Sequence, residues 1–304
     1  SFDNKKYWID YANNWTLTKG EAPQVKEVYV ERSGAAAAAA PVVEAPAKRL
    51  STACQRVVSE EFSADSANVV VQSSLADEKL YPVVCGHLVN NAALCPSSLY
   101  ADMALTVGDY IWKQARPDTE VPGMNVCRME VGKPLIAQIP QPTQGQHIQL
   151  EAKADLATNT VKLFYRSVTP DGKKLVDHAN CTLFYEDKAA WTAEWARYNY
   201  MVKSQMEILT QKTMTGGAHK VQRGMAYKLF KALVTYADKY RAMSEVVLDG
   251  QTTEASAVLD FPTKPEDGDF YCPPYHIDGA CHISGFICNA SDLLDSEQNV
   301  YVSH

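Results

Sequence analysis

A histidine at position 87 is the first residue of this chain whose placement suggests chemistry. It follows Gly86 at the end of an apolar run and stands shortly before a predicted helix. Because glycine has no side chain, a substrate could pass close to the backbone here and the imidazole would stay accessible. The pKa of histidine lies near neutrality, so His87 is a candidate general base. Taken alone, the pattern also fits a hydrogen-bonded loop histidine.

The second candidate is Asp278, which is predicted to open a helix in the segment YCPPYHIDGACHISGFICNASD. A carboxylate there could simply be one that the helix dipole stabilises. However, polar side chains recur along one face of this otherwise apolar helix, at Asp278, His282 and Asn289 with Gly285 between them. Buried polar groups need partners, and an imidazole from the other half of the chain would suit Asp278. The carboxylate would hold that ring in one tautomer and stabilise its protonated form.

Metal binding is the obvious alternative for the same region. The possible ligands are Cys272, His276, Asp278, Cys281 and His282. Their spacings contain neither paired CxxC nor HExxH, so a zinc site is not expected. The other histidines are isolated and predicted to be surface or strand residues: His147, His178, His219 and His304. No cysteine–histidine protease is supported.

Three helical patterns would position these residues. The first starts after Pro96, where Ser97 or Ser98 could cap it, and its apolar stripe is Leu99, Met103, Val107 and Ile111. The second covers roughly residues 225–240, with Met225, Leu229, Leu233 and Tyr236 on one face. The third starts near Asp278, after the turn signal CPPY.

Short strand patterns surround these helices. They cover residues 68–72, 148–155, 161–167, 181–185, 245–249 and 254–261. In both halves a proline-containing loop leads into one apolar helix with strands nearby, which is a weak internal repeat. The pattern predicts an α+β fold in which antiparallel sheets wrap helices.

The N-terminal part of the chain differs from this body. Residues 1–20 contain Phe2, Tyr7, Trp8 and Trp15 among polar residues and are expected to dock on another surface. A low-complexity stretch with six consecutive alanines follows. The predicted organisation is a linker (1–33), a low-complexity linker (34–49), a first subdomain (50–190) and a second subdomain (191–304).

Composition excludes several classes of protein. The 304 residues are 46% hydrophobic and 21% charged, with a net charge of −7, so nucleic acid is not an expected partner. Eight cysteines occur without a CxxC pair, and Ser1 begins no signal-peptide pattern. No apolar run approaches the roughly 20 residues that cross a bilayer. Free thiols, a cytoplasmic location and no membrane contact are therefore expected.

The two candidate segments together resemble a known family. The pattern GHLVNNAALCPSSLYADMALTVGDY, followed by PPYHIDGACHISGFICN about 190 residues later, is similar to the product template domain of fungal iterative non-reducing polyketide synthases. The opening FDNKKYWIDY resembles the linker that precedes that domain. Product template domains continue past a segment like NVYVSH, so the second subdomain is expected to be cut short at its C-terminus.

The resemblance implies a double hot dog fold, in which each of two fused subdomains is a long helix wrapped by an antiparallel sheet. It implies that His87 is the general base and that Asp278 orients and stabilises it, in a deep tunnel. Ser98, His282 and Asn289 are the candidate substrate contacts. Glutamine is more usual than histidine one helical turn after the aspartate, which puts the role of His282 in question.

The implied function is regiospecific aldol cyclisation, followed by dehydrative aromatisation, of a poly-β-keto chain in pigment or mycotoxin biosynthesis. The domain would have no cofactor of its own, since an acyl carrier protein delivers the substrate on its phosphopantetheine. Neighbouring synthase domains and a second copy in a homodimer are the other implied partners.

Two alternatives remain open. A dehydratase domain of a reducing synthase also uses a histidine and an aspartate, but its usual HxxxGxxxxP pattern has glycine where this chain has Asn91, although Pro96 matches the proline. A non-catalytic chamber that only shelters a reactive polyketide is the other.

Overall fold

The computed structural model describes residues 48–140, 142, 145–231 and 234–291. The predicted N-terminal linker, nearly all of the low-complexity linker, His304 and the predicted shortened C-terminus lie outside these residues. Within the described part, no helix is long and apolar enough to cross a membrane. Cys54, Cys95 and Cys181 are buried and unoxidised in the described part of the chain.

Strands and helices alternate through the described residues. The strands are β1 Arg56–Phe62, β2 Ser66–Ser74, β3 His87–Val89, β4 Ala92–Leu94, β5 Gly123–Val131, β6 Ile136–Ala137, β7 His147–Asp155, β8 Thr160–Val168, β9 Lys174–Glu186, β10 His219–Gln222, β11 Val234–Tyr236, β12 Met243–Asp249 and β13 Glu254–Leu259. The helices are α1 Tyr81–Cys85, α2 Ser97–Ala115, α3 Lys188–Thr215, α4 Arg223–Phe230 and α5 Pro274–Ala290, with 3-10 turns at Asp238–Tyr240 and Pro265–Asp267.

The first half is a six-stranded antiparallel sheet, in the order β1-β2-β7-β8-β9-β5, that packs on α2. Its strands alternate between buried and more exposed residues, as a sheet with one covered face must. Leu99, Met103, Val107 and Ile111 of α2 are fully buried, which confirms the predicted stripe. The helix is capped by the backbone of Pro96, however, and Ser97 and Ser98 lie in its first turn rather than capping it.

The second half repeats this arrangement on a smaller scale. An antiparallel sheet in the order β10-β12-β13 packs on α5, which also contacts α2. A proline precedes each central helix, Pro96 before α2 and Pro273 before α5, as the predicted repeat requires. The fold is therefore the expected α+β double hot dog.

A third, four-stranded sheet joins the halves. Its order is β11-β3-β4-β6, so β11 of the second half pairs antiparallel with β3 of the first. This pairing brings the strand that starts at His87 to the second half.

Two predictions about the elements were wrong, and one helix was missed. The helix predicted over 225–240 is the short α4 followed by β11 and a 3-10 turn. Helix α5 begins at Pro274, so Asp278 lies in its second turn and does not open it. The 28-residue helix α3 was not predicted, and the expected subdomain boundary at 190/191 falls within it.

Candidate active site

His87 is held by a tight hairpin. Strands β3 and β4 are joined by Asn90 and Asn91, whose φ angles of 49° and 64° lie in the left-handed region that asparagine tolerates. The hairpin places the Leu94 carbonyl 3.2 Å from Nδ1 of His87. Since a carbonyl only accepts, Nδ1 carries the hydrogen and the lone pair of the neutral ring is on Nε2.

The second half approaches His87 closely from the side of β11. Tyr236 is the register partner of His87, and their rings lie 5.5 Å apart. The N–H of Ala237 donates to the Gly86 carbonyl at 2.8 Å. A Cβ at position 86 would lie 2.7 Å from the Pro82 carbonyl oxygen and 3.1 Å from a ring carbon of Tyr240. Glycine at position 86 is thus needed because the Pro82 carbonyl and the Tyr240 ring pack against it. From the sequence alone, that space was instead expected to serve a substrate.

Asp278 has its hydrogen-bond partner on its own helix. Its Oδ2 lies 2.7 Å from Nε2 of His282, one turn further along α5. Nδ1 of His282 lies 2.9 Å from the hydroxyl of Tyr227 on α4. Burial raises the pKa of Tyr227 to about 12, so the phenol keeps its proton at neutral pH. His282 is buried, and the Tyr236 ring lies 4.1 Å from its own ring.

That single phenolic proton defines the tautomer of His282. Tyr227 has two acceptors within reach, Nδ1 of His282 at 2.9 Å and the Tyr240 carbonyl at 3.3 Å. When it donates across the shorter contact, Nδ1 of His282 accepts and Nε2 carries the hydrogen that is donated to Asp278. The result is a continuous hydrogen-bonded chain from Tyr227 through His282 to Asp278.

Asp278 acts on His87 through space. Burial lowers the pKa of His87 below its ordinary value, and the negative charge of Asp278 opposes this by raising it. Among the described residues, the side-chain hydrogen bond of Asp278 is with His282, and the one that orients His87 comes from Leu94. The predicted pair is thus close enough to interact electrostatically, while the orienting role expected of Asp278 falls to the backbone of Leu94.

The other predicted site residues are less closely connected to His87. The Ser98 hydroxyl is buried on α2 and has no hydrogen-bond partner within the described part of the chain. The amide of Asn289 donates to the Gly285 carbonyl at 2.7 Å, on its own helix. A substrate contact by Ser98, His282 or Asn289 stays a prediction. His147, His178 and His219 are strand residues, as expected.

Sequence reasoning missed Tyr227 and the role of Leu94. Tyr227 lies within a predicted helical pattern, but it is 55 residues from His282, so no local spacing pairs the two side chains. The contribution of Leu94 is a backbone carbonyl, for which no side-chain signal exists. The Asn-Asn turn between two short, mostly apolar segments was the signal that could have predicted the hairpin. The residues described contain no group of three or more His, Cys, Asp or Glu side chains arranged to hold a metal ion.

Solved structures similar to this fold include dehydratase domains of polyketide synthases. The dehydratase domain of the polyketide PpsC from Mycobacterium tuberculosis has a TM-score of 0.56 and 14% sequence identity, over 80% of this chain and 76% of that one. The dehydratase domain from the CurK module of curacin polyketide synthase has a TM-score of 0.52 and 15% identity, over 78% and 74%. At these identities the likeness concerns the fold alone.

Sequence comparison is far more specific. No family model matches the chain. Over its whole length it is 74% identical to non-reducing polyketide synthase PKS1 of Zymoseptoria tritici and 57% identical to non-reducing polyketide synthase Preu8 of Preussia isomera, and it spans 14% of the length of each. It is also 42% identical to the conidial pigment polyketide synthase PfmaE of Pestalotiopsis fici, of which it spans 13%. The chain therefore belongs to the fungal non-reducing polyketide synthases, as one domain of such a synthase, and is consistent with their product template domain.

Proposed function

We propose that this chain is a polyketide cyclase, which catalyses the aldol cyclisation and dehydrative aromatisation of a poly-β-keto chain. The observation that carries the proposal is the state of His87. Its Nδ1 is tied to the Leu94 carbonyl, its Nε2 has no hydrogen bond within the described residues, and burial lowers its pKa while Asp278 raises it. A neutral ring with a free lone pair, under the electrostatic influence of a carboxylate, is suited to remove a proton from carbon.

The reaction follows from these positions. Nε2 of His87 takes a proton from a methylene flanked by two carbonyls, and the enolate that forms attacks a carbonyl carbon further along the same chain. The new C–C bond leaves an alkoxide, which the imidazolium protonates. Loss of water, followed by enolisation of the remaining ring carbonyls, then gives the aromatic ring. The tunnel expected of this fold would decide which carbons meet, a proximity effect that can contribute roughly 7 to 11 kcal/mol in favourable intramolecular cases.

Asp278 stabilises the protonated form of His87 that arises during the reaction. When His87 is protonated, the Asp278 carboxylate stabilises the imidazolium, and the donor from His282 keeps that carboxylate oriented. The carboxylate does not need to touch His87 for this effect, since charges interact strongly in a partly buried site.

The proposal also covers the partners of the domain and the pathway in which it acts. The chain spans about 14% of its relatives, so neighbouring synthase domains would supply the substrate. We propose that an acyl carrier protein presents it on phosphopantetheine, that the domain needs no cofactor of its own, and that the synthase acts as a cytoplasmic homodimer. Pigment formation is the corresponding pathway class, because one relative is named a conidial pigment synthase.

The decisive test uses a carrier-bound linear polyketide, which also cyclises spontaneously. His87→Ala should lower the rate at which the enzymatic product forms by roughly 10²- to 10⁴-fold, so that only the products of spontaneous cyclisation remain. Chromatography and mass spectrometry measure both sets of products. His219→Ala is the matched control, since His219 is an exposed histidine on β10. A product mixture that His87→Ala leaves unchanged would refute catalysis and support the sheltering chamber.

Dehydration is the second candidate because two observations favour it. The neighbouring folds are dehydratases, and Asn91 adopts the left-handed backbone that a glycine would supply in their HxxxGxxxxP pattern. The missing glycine is therefore a weaker distinction than the sequence suggested. Supplying a carrier-bound β-hydroxyacyl chain separates the two functions, since a dehydratase releases water to form the 2-enoyl product and a cyclase leaves this substrate unchanged.

A further inference from the structure

A cavity of about 480 Å³ lies between the C-terminal half of α2, the loop before α5 and residues 49–51. Its described lining does not include His87, Asp278 or His282, so it differs from the candidate active site. Pockets that hold small molecules typically have about 300 to 1,000 Å³. This cavity is therefore large enough for a ligand of its own.

Three aromatic residues form walls of this cavity. Tyr110 comes from α2, and Phe270 and Tyr271 come from the loop before α5. The Tyr110 hydroxyl donates to the Glu60 carboxylate and accepts from the Lys48 ammonium at 2.5 Å, so its ring is held in place. Tyr271 is 48% exposed, which leaves part of its ring available for contact. Aromatic rings stack or pack edge to face with other rings, so these walls favour a planar aromatic ligand.

The charges of the described lining balance, with two of each sign. Lys113 is paired with Asp109, one turn away on α2, at 2.7 Å. Arg49 is paired with Asp77, outside the lining, at 3.3 Å. Within the described lining, the exposed carboxylate of Asp269 is left without an ion pair. The cavity thus favours neither an anion nor a cation, and it offers a carboxylate that can accept from a neutral donor such as a hydroxyl.

Thr106 is a buried residue of the lining whose hydrogen bonds are unmet. It is 6% exposed, and its hydroxyl has no partner in the described part of the chain. A threonine within a helix often donates to the carbonyl four residues earlier, and Thr192 and Thr210 on α3 do so. The Thr106 hydroxyl is instead left for another group. A buried hydroxyl without a partner is unfavourable, so a ligand that bonds to it gains affinity.

We propose that this cavity binds a neutral, planar, hydroxylated aromatic molecule. The aromatic walls contact its rings, and the Thr106 hydroxyl and the Asp269 carboxylate bond to its phenolic hydroxyls. Phenols suit both partners, since a hydroxyl donates to a carboxylate and can donate to or accept from another hydroxyl. An aromatised polyketide belongs to this class, so the product of the proposed cyclisation is the natural ligand. The identity of that ligand rests on the proposed function, whereas the place of the site rests on the cavity.

Calorimetric titration of the full chain tests the site without catalysis. The probe is 2,7-dihydroxynaphthalene, and 2,7-dimethoxynaphthalene is the matched ligand that cannot donate a hydrogen bond. Thr106→Val keeps the shape of the side chain and should weaken binding of the probe about three- to tenfold. Because the lost hydroxyl has no partner among the described residues, thermal unfolding should not move to lower temperature. Thr192→Val, at an exposed position on α3, is the control and should bind the probe like wild type.

Asp269→Ala is a second variant that should fold, because the backbone of residue 269 keeps its hydrogen bonds with Thr52. We expect it to weaken binding of the probe about two- to fivefold. The dimethoxy ligand should bind wild type at least about threefold more weakly than the probe, since it cannot donate to the carboxylate.

Two results would overturn the inference. One is equal affinity of wild type, Thr106→Val and Asp269→Ala for the probe. The other is loss of probe binding in His87→Ala, which would place the probe in the candidate active site. The aromatic product of the wild-type reaction should displace the probe, and a product that forms without displacing it would refute the natural ligand. Absence of any product would instead count against the proposed function, while the titration with the probe would still decide the site.

Discussion

The two central helices each carry an aspartate in their second turn, and the two carboxylates have opposite environments. Asp278 on α5 is partly exposed, bonded to His282, and near enough to His87 to raise its pKa. Asp102 on α2 is fully buried, and its Oδ1 accepts the backbone N–H of Cys272 at 2.9 Å. Its Oδ2 is buried and has no partner in the described part of the chain.

The difference shows how a repeated fold can divide its tasks. Burial raises the pKa of Asp102 to about 7, whereas the nearby backbone N–H of Cys272 lowers it. That carboxyl group anchors the loop before α5, the helix that carries Asp278. One aspartate therefore fixes the position of the second half, and the other acts on the imidazoles. Substituting each in the same way tests this division.

Asp278→Asn should have the largest effect. Asparagine can still accept from His282, so the change removes the charge and little else. We expect kcat to fall roughly 10²- to 10³-fold, about 3 to 4 kcal/mol, because the imidazolium of His87 loses its stabilising charge. His87 must be neutral to act, so activity falls as pH drops through its pKa. Without the charge of Asp278 that pKa falls further, and the acidic limb of kcat/KM should move to lower pH.

Asp102→Asn is the matched control for that measurement. Under the proposed division it should change kcat by less than about threefold, since Asp102 acts on a backbone loop rather than on an imidazole. If Asp102→Asn lowers kcat as strongly as Asp278→Asn, the two carboxylates share one function and the comparison fails.

The same variant should change how stability depends on pH. The folded pKa of Asp102 is raised from 3.8 to about 7, so the folded state binds its proton more tightly than the unfolded state. Its contribution is fully present below about pH 4 and is lost as pH rises toward 7. Relative to wild type, Asp102→Asn should therefore gain about 1 to 3 kcal/mol in free energy of unfolding between pH 4.5 and pH 8. Urea unfolding at both pH values measures this, and a difference that does not vary with pH would contradict it.

Helix α2 could be predicted from sequence and α3 could not, for a physical reason. The apolar residues of α2 form a stripe because one face is enclosed by the sheet. Those of α3 lie all around the helix, and Trp195, Tyr200 and Met214 are more than half exposed. Without one covered face, a helix leaves no periodic signal.

The region from 225 to 240 illustrates a second limit. Met225 and Leu229 suggested a buried stripe, yet both are more than half exposed. Tyr236 is buried instead through strand pairing with His87, about 150 residues earlier in the chain. Local spacing carries no information about such a partner, so tertiary contact overrides the helical pattern. His87 and Asp278 were identifiable as residue types, but their actual hydrogen-bond partners were not.

Tyr227→Phe should have a small effect, and it tests the hydrogen-bonded chain that leads from Tyr227 through His282 to Asp278. It removes the hydroxyl that fixes the tautomer of His282 and keeps a ring to pack on Tyr236. We expect a three- to tenfold fall in kcat, about 1 kcal/mol, with little change in KM. Tyr185→Phe is the control, because it removes a buried hydroxyl that donates to the Gly108 carbonyl in the first half.

A double-variant cycle decides whether Tyr227 works through Asp278. If the hydroxyl acts along the chain through His282, adding Tyr227→Phe to Asp278→Asn should lower kcat by less than twofold, since the charge it supports is already gone. Additive losses would mean that the hydroxyl only stabilises the fold around Met243, whose N–H also donates to it at 3.2 Å. In that case the carboxylate and His282 alone would define the electrostatics of His87.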